Sequence, residues 1–191
     1  DLLSDYKSID FSKILSKPMT IRLRLPNNST RFFHGYVARF GLVGVNGRYY
    51  QYRATLRPWL WFLTRKQDCR IFQEKTAVDI VKNIFSEHSL AQFELQFSEI
   101  EKYPRRNYCV QYDETDFHFI SRLLEQEGIS YFFKHEKDKH SLVLIDSSSS
   151  YTFVSGYEEI PYISQTEDIR ADREAIQSWF LAEELQASTV V

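Results

Sequence analysis

The chain has 191 residues, with 24 Lys and Arg against 26 Asp and Glu and a net charge of -2. That balance excludes the surplus of cations on which phosphate binding depends, so no nucleic-acid partner is expected. A hydrophobic share of 43% with 26% charged residues excludes a disordered chain, and the length suffices for one large or two small domains.

From the N-terminus, Asp1 to Lys7 is polar apart from Leu2 and Leu3, which is no signal peptide. Residues 19–25 alternate apolar and polar, the period of a strand with one wet face. Pro26 to Ser29 reads as a turn, and residues 31–40 as a second strand in which Gly35 marks a bulge or a close approach. Asn46-Gly47 is a turn signal, after which Arg48 to Arg57 alternates again. The start of the chain is therefore a meander of antiparallel strands. Fifteen Phe, twelve Tyr and three Trp agree with a β-rich fold.

Pro58 breaks the pattern, and the apolar knot Trp59-Leu-Trp-Phe-Leu63 reads as an anchor for a core or a domain seam. Over 76–89 the period changes: Ala77, Ile80, Val81, Ile84, Phe85 and His88 form one helical stripe, with Thr76 and Asp79 spaced as a capping arrangement. A second helix is predicted over 115–127, with Phe117, Ile120, Leu123 and Leu124 inward, Thr115 as cap and Gly128 as left-handed terminator. Strands are predicted at 93–97, 108–112, 129–135 and 141–146, so the middle of the chain mixes α and β. Ser147 to Ser150 reads as a polar linker. Propensity alone favours a helix over 172–187.

The search for chemistry finds little. Cys69 and Cys109 lie in no CxxC or Cys/His cluster and read as two buried, reduced thiols, although the sequence leaves a disulfide open. His34, His88, His118, His135 and His140 are scattered, and the last two, His135 and His140, bracket the charged turn Glu136 to Lys139. Asp113, Asp116 and His118 make the best cluster for a metal or acid–base site, but two acids at the start of a helix serve its dipole and cap. Glu125 to Glu127 reads as a solvated face, and Arg65-Lys66 and Arg105-Arg106 are too short for a nucleic-acid groove. Gly-rich phosphate loops, HExxH and GxSxG are all missing. No apolar run approaches the ~20 residues of a membrane span. No residue is assigned to catalysis, to a cofactor or to a metal.

Several runs nonetheless carry a resemblance. Arg31-Phe-Phe-His-Gly-Tyr-Val37, Tyr52-Arg-Ala-Thr-Leu-Arg-Pro-Trp-Leu-Trp-Phe-Leu63, Cys69 to Gln73, Arg106 to Tyr112, Asp116 to Phe133 and Ser141 to Asp146 resemble, in order, the N-terminal hub domain of VgrG proteins. The likeness covers roughly residues 11–165, and the leucine-tryptophan run and Leu-Leu-Glu-x-Glu-Gly-Ile are its distinctive parts. It implies a β-rich α+β fold like that of phage baseplate hubs: tube-protein-like β-barrels with an inserted α/β subdomain. Residues 1–57 would belong to the first barrel, 58–146 to the insertion, and 147–191 to an incomplete second barrel. It also implies that the tail is extended rather than helical, with Ser178 to Ala182 as strand.

By the same resemblance the protein is the structural hub of a trimeric type VI secretion spike, not an enzyme. Its implied partners are two further copies of itself, an Hcp-type hexameric tube, baseplate components, and effectors or adaptors. It would assemble in the cytoplasm and leave without a signal peptide, piercing a target membrane as an assembly without a transmembrane segment. A hub of a contractile phage tail is the alternative. Asp1 in place of an initiator Met and the apolar end Val190-Val191 lead to the expectation that the chain is part of a longer protein.

Overall fold

The computed structural model describes residues 1–25, 28–98, 103–154, 156–163 and 175–183. The chain divides into two compact units, one of Asp1–Leu23 with Arg31–Tyr151, the other of Arg24–Thr30 with Thr152–Val191.

The alternating N-terminal segments form a four-stranded sheet in the order β1-β4-β3-β2 (β1 Leu2–Ser4, β2 Pro18–Arg24, β3 Thr30–Asn46, β4 Tyr49–Arg57). β3 runs past the predicted end at residue 40 to Asn46 and pairs antiparallel with β4 from Tyr36↔Arg57 to Asn46↔Tyr49. Its register shifts twice, between Val37 and Arg39 and between Leu42 and Gly44. Each irregularity bends the strand and adds twist, which curls the sheet into a half-barrel. The hairpin turns at Gly47-Arg48, with Gly47 at φ +60°, a conformation glycine adopts without steric cost. Gly35 is the predicted close approach: a Cβ there would stand 3.0 Å from the carbonyl oxygen of Arg57. A small core of Val37, Phe40 and Tyr52 lies against this sheet, with Phe40 and Tyr52 stacked at 5.2 Å.

After Pro58 the apolar knot winds into a 3₁₀ segment, Trp59–Arg65, that buries Trp59, Leu60 and Leu63. β5 (Gln67–Phe72) then pairs with β7 (Cys109–Thr115) as a two-stranded ribbon. β6 (Phe93–Gln96), β8 (Ser130–His135) and β9 (His140–Ile145) form a separate sheet in the order β6-β9-β8, parallel between β6 and β9. The central strand β9 has Leu142 to Ile145 buried without alternation, as a strand covered on both faces requires.

Helix α1 (Ala77–Ser86) has the full predicted capping box: Thr76 Oγ1 accepts from the Asp79 amide, and the Asp79 carboxylate accepts from the Thr76 amide. Helix α2 (Asp116–Gln126) starts on Thr115, whose Oγ1 accepts from the His118 amide. It ends at Gly128, φ +67°, where Ile129 N–H bonds Leu124 C=O at 2.8 Å and Gly128 N–H bonds Glu125 C=O at 3.2 Å. That pair of bonds is the Schellman arrangement. The buried stripe of α2 is Phe119, Ile120, Leu123 and Leu124; Phe117, predicted inward, is only half-buried. Both helices pack into one core with the 3₁₀ segment and β9, where Trp59 meets Phe85 edge-on at 4.9 Å.

Two expectations change. Cys69 is exposed and Cys109 buried, both free, because Cys69 points outward from the β5 ribbon opposite Arg70. Ser147 to Ser150 is a capped 3₁₀ turn, Ser148–Ser150, rather than an unstructured linker. In the second unit, Tyr162 and Ile176 form a parallel bridge. Apart from the Ile176 bridge, residues 175–183 are neither helix nor strand, and 172–174 and 184–187 lie outside the described residues, as do Pro26 and Asn27 of the predicted turn.

Candidate functional site

The acidic cluster singled out by sequence is taken apart by the fold. Asp113 is exposed at the end of the β5–β7 ribbon with φ +49°, its Oδ1 accepting from Gln67 Nε2 at 2.6 Å. His118 is exposed on the outer side of α2. Asp116 alone is fully buried, and its carboxylate is used structurally.

Asp116 Oδ1 accepts from the Arg70 guanidinium and, at 2.9 Å, from Gln111 Nε2. Its Oδ2 stands 3.9 Å from Lys66 Nζ and 3.5 Å from His88 Nε2. Arg70 also donates through Nη1 to both carboxylate oxygens of Glu87, at 2.8 and 2.9 Å, and through Nε to Gln111 Oε1 at 2.9 Å. Lys66 Nζ closes the circuit on Glu87 at 2.9 Å. Hydrogen bonding to Glu87 raises the Lys66 ammonium above its usual range. Burial pushes the Glu87 carboxyl up, but Lys66 and Arg70 outweigh it and hold the group below the usual carboxylate range. A buried carboxylate is tolerated only when it is paired and hydrogen-bonded in this way. The network ties the 3₁₀ segment, the ribbon and the ends of both helices together.

Lys66, Arg70, Glu87 and Gln111 were not found by motif. One signal was available: in a strand, Arg70 shares a face with Phe72, two residues on, and Phe72 is buried. An inward cation implies an inward anion. The other charged runs are equally occupied. Arg106 bonds Gln126 Oε1 at 3.0 Å and Glu127 Oε1 at 2.6 Å, so the Glu125 to Glu127 face is pinned rather than free.

Three histidines that look scattered in sequence converge. His34 of β3 and His140 of β9 are buried, with their Nδ1 atoms 2.8 Å apart. The His34 amide donates to His135 Nδ1 at 3.2 Å, and the Trp59 amide donates to His140 Nε2 at 2.9 Å. His135 and His140 face each other at the predicted hairpin tip. Among the described residues, no group of three or more His, Cys, Asp and Glu side chains is arranged to hold a metal ion. No helix among them is long and apolar enough to cross a membrane.

What the surface offers is contact area. On β2, Ile21 and Leu23 are 53% and 45% exposed, and on β3 Leu42, Val43 and Val45 join them. Ile71 and Tyr112 stand out from the ribbon. Outside α2, a groove of ≈ 650 Å³ is lined by Phe117, Leu124, Ile129 and Tyr131 with Glu114, Arg122 and other polar neighbours. Arg122 is already paired to Glu114 at 2.7 Å, so the groove offers shape rather than converging reactive groups.

The fold is thus a curled half-barrel sheet joined to an α/β layer, with apolar side chains exposed on β2, β3 and the ribbon. Residues 1–191 match the phage tail baseplate hub (GPD) family, and the chain belongs to it. The type VI secretion system spike protein VgrG1a of Pseudomonas aeruginosa is 43% identical over 189 residues, covering 99% of this chain and 29% of that protein. VgrG1c of the same organism is 42% identical over 190 residues, covering 100% of this chain and 26% of that protein. The chain thus spans less than a third of these relatives. Among solved structures, the E. coli c3393 protein superposes with a TM-score of 0.72 at 26% identity, over 79% of this chain and 42% of that one. It is described as a type VI secretion component structurally similar to the T4 bacteriophage tail proteins gp27 and gp5. A chain of a Francisella PdpA-VgrG complex shares the fold at a TM-score of 0.53, 19% identity, 72% of this chain and 23% of that chain.

Proposed function

We propose that this chain is the hub portion of a homotrimeric VgrG spike that couples an Hcp-type hexameric tube to a membrane-puncturing needle and carries effectors or adaptors, without catalysis of its own in these residues. The observation that carries this reading is β2. Its residues are exposed or half-buried on both faces, and Ile21 and Leu23 form an apolar row on a strand at the edge of a half-barrel. Such a strand is left incomplete in a lone chain and is completed by neighbouring β-structure. A hub that passes force along an axis needs large interfaces and rigid β-packing. Assembly then takes place in the cytoplasm against baseplate components, followed by export without a signal peptide.

The organisation follows the same reading: residues 1–57 belong to a first barrel, 58–146 to an α/β insertion and 147–191 to a return toward a second barrel. Two separate buried cores, one against the N-terminal sheet and one around the helices, support that division.

The test is secretion of the tagged full-length protein from cells with and without a working contractile sheath, with Hcp followed in parallel. Release that requires the sheath is the expected result. Release without a sheath, or retention by cells that secrete Hcp, overturns the reading in favour of a phage-type hub.

A further inference from the structure

The hub function makes no use of the buried imidazoles, yet their hydrogen bonds fix their protonation. His140 Nε2 accepts from the Trp59 amide, so in a neutral ring its proton is on Nδ1. That Nδ1–H faces His34 Nδ1 at 2.8 Å, which must therefore accept. The proton of His34 is then on Nε2, a buried atom with no hydrogen-bond partner. His135 Nδ1, accepting from the His34 amide, completes the chain. Each ring thus has one permitted tautomer. Protonating His140 places an N–H against the Trp59 N–H; protonating His34 places an N–H against that of His140.

We propose that His34 and His140, with His135 at the rim, form an acid-labile latch that joins strand β3 to the β8–β9 hairpin and to the start of the 3₁₀ segment, and that opens when either buried ring is protonated. The three segments it joins are far apart in sequence, and among the described residues no disulfide or salt bridge duplicates it at this point. The remaining surroundings are mostly apolar: Tyr36 packs edge-on against His34 at 5.7 Å and His140 at 5.9 Å, and Phe133 against His140 at 5.7 Å. Of the charged groups that face it, Asp138 on the hairpin tip favours protonated His34, while Arg31 on β3 opposes protonation of His135. Burial is the largest influence on both inner rings, lowering His34 and taking His140 to about 4.

A histidine whose affinity for protons is reduced by folding leaves stability intact above about pH 6.5, the unfolded value. Stability then falls as pH drops from there toward the folded value. The latch is independent of the hub reading, and its test does not involve secretion.

The experiment uses the 191-residue chain and two measurements. Thermal unfolding between pH 7.5 and 5 is expected to show a midpoint that falls by several degrees below pH 6.5, and this fall is expected to shrink by at least half in H34Q/H140Q, whose amides preserve donor and acceptor without titrating. An unchanged slope in that variant overturns the latch. Nitrogen NMR of the unsubstituted chain reads the rings directly and does not depend on the variant folding. His140 is expected as the Nδ1–H tautomer and His34 as the Nε2–H tautomer, both neutral down to pH 5.5. Titration of either ring at 6.5 or above in the folded chain overturns the proposal.

Discussion

Asp116 has no exposed surface, and its carboxylate accepts from the Arg70 guanidinium across 46 positions of sequence. Arg70 in turn serves Glu87 and Gln111, so it has partners to keep when Asp116 is removed, whereas Asp116 depends on Arg70 for its charge-assisted bond. The expected result is asymmetric. Arg70→Ala leaves a buried carboxylate without its main counter-charge and costs about 3–5 kcal/mol, while Asp116→Ala costs about half as much. Urea unfolding of both single variants and the double variant checks this; equal single costs that simply add would show the pair to be uncoupled.

The contrast between Asp116 and the helix caps shows what sequence can and cannot reveal. Thr76 with Asp79, Thr115 and Gly128 act on backbone atoms within a few residues, so spacing alone located them. The resemblance likewise located the family, because its motifs are ordered along the chain. Asp116 was placed correctly in a first turn but assigned to the dipole, since nothing local announces Arg70 or Lys66. The same holds for His34 and His140, which meet only because β3 and β9 are brought together by tertiary packing. β5 was missed because its alternation is broken by the inward Arg70, and the reach of β3 to Asn46 because Gly41 and Gly44 look like an ending.

The caps give a direct prediction. Thr76→Ala removes the acceptor for the Asp79 amide, and Thr115→Ala the acceptor for the His118 amide; each costs about 1 kcal/mol. Serine at either position restores most of the loss, since the hydroxyl is the working group. Gly128→Ala, at φ +67°, costs about 1 kcal/mol by forcing a Cβ into the left-handed region. Denaturant midpoints with unchanged slopes are the expected signature.

Acid sensitivity should show a second window below that of the histidines. Side-chain hydrogen bonding to Thr76 holds the Asp79 carboxyl below its usual range, and the ion pairs with Lys66 and Arg70 do the same for Glu87 against the effect of burial. Carboxylates depressed by folding stabilise the chain above their unfolded values, near pH 4, and that contribution is lost as pH falls through the lower folded values. Glu87→Gln is therefore expected to reduce stability at pH 7 and to flatten the loss between pH 4 and 2. Unfolding curves that remain parallel to those of the unsubstituted chain across that range would exclude Glu87 as a contributor.

The last prediction concerns Gly35, whose neighbour His34 carries the buried imidazole. A Cβ at Gly35 meets the Arg57 carbonyl oxygen at 3.0 Å and the Leu56 Cβ at 3.3 Å. The first of these is backbone, so the end of β4 must move rather than a side chain rotate. Arg57 leads through Pro58 to Trp59, whose amide donates to His140, and the displacement is transmitted to the histidine cluster. Gly35→Ala is expected to cost about 1–3 kcal/mol and to broaden or shift the His140 ring nitrogen signals. Gly41→Ala in the same strand, with no heavy atom within 4 Å of the new Cβ, is the control and is expected to be near neutral. Comparable losses at both positions would attribute the effect to strand propensity instead of to the contact with Arg57.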